Sequence, residues 1–521
     1  MTRSHGHRPA ADAYQRLRAC LPWLPFLPLL LTAAPRSFLA HDEGYYALQA
    51  RWLAESGQWL APLWWGEPLY DRTIGVPWLI ALAQRLLGPA PWVAHLPSLL
   101  AAAACLLLTA ALARQLLGPG SGWLSALVLA LTPLWINHAH QAGQDMPLLA
   151  LELLGFWALV RARPGAPGWT IALAAGWVGP AFLIKGFMVA VPLAAMAPFA
   201  LLHRRWLLAR PSFWAWLLLG WLPVALWLGL SLQSYGPGVV AGLVEKLLYL
   251  SQSDVYSAGP LYYLWNVPAN TAPWILAALA GWGLGLRRWT GEQRLALIGT
   301  PLLLLLLLSC FRTKTPYYGL QLTPFLAIAA AEALRRFCHT GQARPRWLAW
   351  LIAAMGALLA VAGAVVLAMG LVPWPFGMAG LALGISWLLL PWQRQGRSVL
   401  IAGLAGPWLA LVLLVQSGLF TDRSPQFRQA LAAPAVADAL RQGPVAVVAP
   451  EPLSGDGHAQ LILLALGTPQ LGPRLAAMNA LAPGQRAWVP KQLLRSPAGA
   501  SLEPLAAGDD LGEWMLVRAR P

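Results

Sequence analysis

Apolar runs long enough to cross a bilayer recur from about residue 21 to about residue 420, and no other feature restricts the fold as strongly. A hydrocarbon core of ~30 Å takes about 20 apolar residues in a helix, and the backbone polar groups inside it must find partners within the protein. With 58% of residues hydrophobic and only 11% charged, the expected class is an all-α polytopic membrane protein. About thirteen spans are predicted, near 21–39, 94–117, 122–137, 146–162, 169–184, 186–203, 212–232, 267–286, 295–310, 317–334, 347–370, 374–391 and 398–419. Trp64, Trp65, Trp78, Trp92 and Trp135 fall near their ends, as in an interfacial belt.

Basic residues set the orientation. With the N-terminal segment 1–20 inside, Arg3, Arg8, Arg16 and Arg18 are cytoplasmic. So are Arg161/Arg163, Arg204/Arg205/Arg210, Arg287/Arg288/Arg294, Arg335/Arg336/Arg344/Arg346 and Arg394/Arg397, while the longer outer loops carry fewer cations. A plasma (inner) membrane protein with a cytoplasmic N-terminus follows. Phe38-Leu39-Ala40 is a poor cleavage site, so the first run is expected to be a retained span. The multi-span domain covers 21–420 and has two long outer loops, 40–93 and 233–266. The first loop is expected to hold amphipathic helix, with Tyr45, Leu48 and Trp52 on one face and Gly57 as its end. Residues 421–521 lack a span-length run and alternate helical patterns with strand-like Val445–Val448, which predicts a small extracytoplasmic α/β domain. The net charge of +16 is spread in short clusters between apolar runs, against a nucleic-acid face. Cys20, Cys105, Cys310 and Cys338 show no CxxC spacing and read as packing or surface thiols.

This topology brings polar residues from separate segments to one outer face: Asp42 and Glu43, then His138, His140, Gln144 and Asp145, then Lys185, then Arg312, Lys314, Tyr317 and Tyr318. Carboxylates, cations and phenols together suit a phosphorylated substrate with a hydroxyl to activate. Each residue also has a plainer reading. Asp42 and Asp145 are good helix caps, and Lys185, Arg312 and Lys314 could snorkel. Tyr262-Tyr263 suits interfacial packing. His138, His140 and Asp145 are the weak alternative as ligands of a divalent metal; otherwise no cofactor is expected. Glu152 lies on almost the same helical face as Asp145 and ~10 Å deeper, where a carboxylate is costly unless paired or neutral.

The stretch HDEGYYALQARWLAESGQWLAPLWWGEPLYDRTIGVPWLIALAQRLLG resembles the first outer loop of GT-C glycosyltransferases, above all the lipid A aminoarabinose transferases and bacterial protein O-mannosyltransferases. Gln144-Asp145-Met146, Leu183-Ile184-Lys185-Gly186, Gly259-Pro260-Leu261-Tyr262-Tyr263 and Lys314-Thr315-Pro316-Tyr317-Tyr318 resemble further elements of that family, in order. Two features depart from it: Gly44-Tyr45-Tyr46 lacks the basic residue usual after Asp-Glu, and Asp71-Arg72-Thr73-Ile74 stands where the family has Glu-Lys-Pro-Pro. The resemblance implies transfer of a sugar from a polyprenyl-phosphate donor to a lipid, glycan or protein acceptor, with inversion. It implies Asp42, Glu43 and Asp145 as catalytic residues and Arg72, Lys185, Arg312 and Lys314 as phosphate ligands. Tyr45, Tyr46, Tyr317, Tyr318 and Glu152 would position substrate. The rival is a lipid or sugar-lipid transporter without transfer chemistry. An odd span count, no detected repeat and charge gathered at one face instead of the midplane weigh against it.

Overall fold

The computed structural model describes residues 20–252, 258–339, 346–394, 396–449, 453–495, 497–505 and 511–520. The N-terminal basic cluster up to Arg18, Arg344 and the side chain of Lys246 lie outside the described residues. Among the described residues seven helices are long and apolar enough to cross a membrane: Pro91–Leu117, Gly168–His203, Pro211–Tyr235, Gly291–Cys310, Arg346–Met369, Trp374–Trp392 and Gly396–Gln416. Other apolar stretches are helical but shorter, among them Gly122–Ala130, Asp145–Arg161, Trp274–Arg288 and Thr323–His339. Close packing between them relies on glycine: a Cβ on Gly179 would sit 1.9 Å from the Gly220 carbonyl, and one on Gly281 2.0 Å from that of Ala329.

The first apolar run does not form the continuous span expected over 21–39. Its helix stops at Leu30, and residues 31–39 are irregular, with a bend at Ala34 and one bridge at Ser37. Proline explains the shape, since Pro22, Pro25 and Pro28 remove helical donors and strand carbonyls. Distant side chains answer those carbonyls: Trp123 Nε1 donates to Pro22 O at 2.6 Å, Trp408 Nε1 to Pro25 O at 2.8 Å and Gln416 Nε2 to Pro28 O at 2.9 Å. Beyond Leu30 the chain pairs with 421–423, Ser37 N donating to Thr421 O at 2.9 Å and Ser37 Oγ to Asp422 at 2.6 Å.

One wide π turn, Ala40–Gly44, then leads into α1 (Tyr45–Ser56), which Gly57 ends in the left-handed region at φ +73°. Strands β1 (Leu63–Trp64) and β2 (Glu67–Pro68) make a small hairpin before α2 (Gly75–Leu87) and the long α3 (Pro91–Leu117). Helix α4 (Asp145–Arg161), ~24 Å long, carries Asp145 at its start. At its far end Arg204 donates to the carbonyls of Leu159 and Val160 and pairs with Glu292 at 2.5 Å. Helix α5 (Thr300–Cys310) leads to the 3-10 segment Pro316–Leu322.

The C-terminal part folds as a five-stranded mixed sheet in the order β4-β3-β5-β7-β6. Its strands are β3 (Val445–Val448), β4 (Leu471–Leu475), β5 (Arg486–Pro490), β6 (Leu502–Pro504) and β7 (Trp514–Ala519). Strand β3 runs parallel to β4 and β5 and is buried along its whole length, while β7 is antiparallel to β5 and β6. Helix α6 (Gly455–Gly467) crosses one face of this sheet and packs on α1.

Candidate active site

The candidate site collects at one end of the helical body, where the π turn before α1, the loop before α2, the start of α4, the break after Lys185 and the Pro316–Leu322 segment meet. Local sequence explains each position. The helical run from Gly168 breaks after Lys185 because Gly186 adopts φ +55°. Lys185 therefore stands at a helix end, where a cation meets exposed carbonyl dipoles favourably.

Lys185 Nζ lies 2.5 Å from Asp145 Oδ1, and both side chains are largely buried. The same ammonium stands 4.9 Å from the ring centre of Tyr317 and 5.1 Å from that of Tyr318, so two aromatic faces share its charge. Arg72 forms the second cationic point. Its guanidinium lies 3.9 Å from the Tyr45 ring centre and 4.9 Å from that of Tyr46, with Nε 3.2 Å from Asp71 Oδ2. Tyr45 Oη donates to the same Asp71 oxygen at 3.1 Å. Asp71 was quoted in the sequence motif without a role; its acidity beside Arg72 was the available signal. A cavity of ≈ 660 Å³ lined by Leu69, Tyr70, Asp71, Tyr235 and Glu245 opens beside this group.

Asp42 is exposed on the π turn and does not cap the following helix. Partial desolvation and the nearby carboxylates of Asp145 and Glu43 push its pKa above the ordinary carboxylate value, while Arg72 and His138 pull the other way. Those mutual influences put Asp42, Asp145, Arg72 and His138 in one electrostatic neighbourhood.

Glu43 is turned away. It is 1% exposed, and its carboxylate accepts from Leu39 N at 2.7 Å and Ala142 N at 3.0 Å. His95 Nε2 lies 3.2 Å from its other side while His95 Nδ1 faces Pro91 O at 2.7 Å. Burial would raise the Glu43 pKa, but the hydrogen bond and charge of His95 and the Leu39 N–H together hold it below the ordinary value. Glu43 thus braces the turn from behind, and a direct catalytic contact does not fit its burial.

Lys314 also departs from expectation. Its ammonium donates to Leu308 O at 3.3 Å, Ser309 O at 2.8 Å and Phe311 O, so its three protons close the end of α5. In this structure the ammonium serves the end of α5. Arg312, two residues earlier, is exposed. Tyr263 is fully buried instead of interfacial, donating from Oη to Thr315 O at 3.0 Å and so fixing the Lys314–Thr315 loop. Glu152, 3% exposed, accepts from Gln321 Nε2 at 2.8 Å, so one of its oxygens has a neutral hydrogen-bond partner. The alternative metal set is not assembled: His138 Nδ1 is 2.9 Å from Leu134 O and its ring lies tilted against Tyr317, whereas His140 Nε2 is 2.8 Å from Leu29 O. Among the described residues no group of three or more His, Cys, Asp or Glu could hold a metal ion.

Comparison with known proteins follows the same lines. A family model described as dolichyl-phosphate-mannose-protein mannosyltransferase matches residues 71–229, which include Arg72, Asp145, Glu152 and Lys185. The undecaprenyl phosphate-alpha-4-amino-4-deoxy-L-arabinose arabinosyl transferase of Edwardsiella ictaluri is 26% identical over 371 residues, 68% of this chain and 62% of that protein. Its counterpart in Pseudomonas aeruginosa is 30% identical over 173 residues, 32% of this chain and 31% of that protein. The matches thus span less than two thirds of these two relatives' own length. ArnT from Cupriavidus metallidurans, solved bound to undecaprenyl phosphate, superposes with a TM-score of 0.74 at 19% identity and covers 98% of both chains. In sequence and in fold, this chain is similar to the GT-C membrane glycosyltransferases, and to their lipid A aminoarabinose transferase group in particular.

Proposed function

We propose that the protein is a membrane glycosyltransferase that moves a sugar from a polyprenyl-phosphate donor to an acceptor on the extracytoplasmic side, with inversion at the anomeric carbon. Asp42 takes the proton from an acceptor hydroxyl as that oxygen bonds to the anomeric carbon. The bond from that carbon to the phosphate oxygen breaks, and polyprenyl phosphate leaves. Its negative charge grows from diester to monoester, so the attraction of Arg72 and Lys185, with Arg312 at the rim, is greatest in the transition state. Asp145 fixes Lys185 and raises the basicity of Asp42. The tyrosines hold the two cations by their faces and line the approach. An acceptor that is itself a phosphate needs no base, and Asp42 then positions it.

The observation that carries this reading is the meeting of Asp42, Asp145, Lys185 and Arg72 in one neighbourhood, with Asp71, the partner of Arg72, on the wall of a cavity. Aminoarabinosyl undecaprenyl phosphate is the first donor to try, by the names of the relatives, and lipid A the first acceptor, by the resemblance of the outer-loop motifs. The reading includes thirteen crossings of the inner membrane, a cytoplasmic N-terminus and an outward C-terminal domain from about residue 421. The purified protein in detergent should transfer radiolabel from that donor to lipid A. Displacement of the labelled lipid without a new product would instead make it a carrier.

A further inference from the structure

The sheet domain at the C-terminus is joined to the turn that bears Asp42 by contacts too specific for a passive cover. Arg51, on α1, is 7% exposed and sends Nη1 to Ala465 O at 2.8 Å and Thr468 O at 2.7 Å, and Nη2 to Pro469 O at 2.9 Å. One guanidinium thus satisfies three carbonyls at the end of α6, where a cation also meets the negative end of the helix dipole. Its Nε is held by Glu55 at 2.7 Å, so the fork cannot swing away. Tyr45 and Leu48 of α1 and Ala40 at the start of the turn form one buried cluster with Ile462 and Ala465 of α6. The turn and α6 approach closely at Gly44: a Cβ there would stand 2.8 Å from Ile462 Cγ2 and 3.3 Å from Leu466 Cδ1. A ladder of rings crosses the same seam, Tyr45 on Trp64 at 4.5 Å, Trp64 by His458 at 5.7 Å and His458 by His41 at 5.7 Å.

From these contacts we infer that α6 of the C-terminal domain is the template that sets the position of Asp42, with Arg51 as the positioning residue that locks α1 onto it. The inference rests on Asp42 being the base. The π turn is wide, and its backbone N–H groups at Glu43 and Gly44 both reach Leu39 O at 2.9 Å, so the sequence of the turn alone leaves its pitch loosely set. Contact with α6 at Gly44, two residues beyond Asp42, removes that freedom.

The test is kinetic and uses the full chain with the radiolabelled donor and lipid A above. Arg51→Gln should lower kcat by about 10- to 100-fold, because a small misplacement of a reacting group is that costly, while donor KM stays within about twofold. Arg51→Lys should recover only part, since a lysine keeps the charge but lacks the rigid planar fork and the Nε–H that Glu55 holds. Gly44→Ala should lower kcat by about tenfold, and Gly44→Ala combined with Ile462→Ala should restore it by vacating the space the new methyl needs. Unchanged kcat in Arg51→Gln, or a double variant no better than Gly44→Ala, would overturn the inference. Wild-type transfer that survives Asp42→Asn would instead remove the assignment of the base, whatever Arg51 does.

Discussion

Lys185 and Asp145, forty residues apart in the chain, meet at 2.5 Å between Nζ and Oδ1 where two helices end. Neither charge is well solvated there, so each is stable chiefly because of the other. Removing one partner strands the second, whereas removing both does not.

Lys185→Ala should therefore cost about 3 kcal/mol of stability, seen as a lower melting temperature in detergent, and should also abolish transfer. Lys185→Ala/Asp145→Ala should recover the melting temperature and leave transfer absent. A double variant as unstable as the single one would show that the pair is not mutually supporting.

Asp42→Asn should lower kcat with a hydroxyl acceptor by at least about 10²-fold, the usual contribution of a general base. Asp42 is exposed and unburdened by structural bonds, so the melting temperature should not move. Donor affinity, read by competition with undecaprenyl phosphate, should also hold.

The pH profile carries a sign. A base works only when deprotonated, and desolvation together with Asp145 and Glu43 raises the Asp42 pKa. Activity should accordingly fall, as pH drops, at a value above the ordinary carboxylate range. Asp145→Asn removes one neighbouring charge and should move that acid limb to lower pH in whatever activity is left. An unmoved limb would mean that another group titrates.

Arg72→Lys should raise donor KM by about tenfold while leaving the protein folded. A lysine keeps the charge but loses the planar face that lies on Tyr45 and Tyr46 and the directed contact with Asp71. Donor titrations of wild type and variant, side by side, decide it.

Lys314→Met should behave in the opposite way. Its ammonium closes the end of α5, so its loss should lower stability by about 1–2 kcal/mol and leave donor KM unchanged. A specific loss of donor affinity would return Lys314 to the phosphate.

Much of the candidate site was legible because its residues stand at the ends of apolar runs, and topology alone then brings them together. Asp42, Asp145, Lys185, Tyr317 and Tyr318 are of this kind. The helical face Tyr45, Leu48, Trp52 was legible for a similar reason, although its partner, α6, lies in another domain. Side-chain direction was not legible. Asp42 and Glu43 are neighbours with the same chemistry, and only the pitch of the π turn exposes one and buries the other against His95. Lys314 reads like a phosphate ligand because backbone carbonyls, its actual partners, have no signature in sequence. Arg51 bonds carbonyls more than 400 residues away. The first span was read too long because the partners that draw residues 31–39 out of helix come from the far end of the chain.

The two polar groups of α4 have a consequence for how the molecule is made. Asp145 and Glu152 leave the ribosome well before Lys185 and Gln321, their partners. During synthesis this helix is made before either partner exists, so its carboxylates are then without the groups they meet in the fold. The length of that interval is written into the distance along the chain between each acid and its partner.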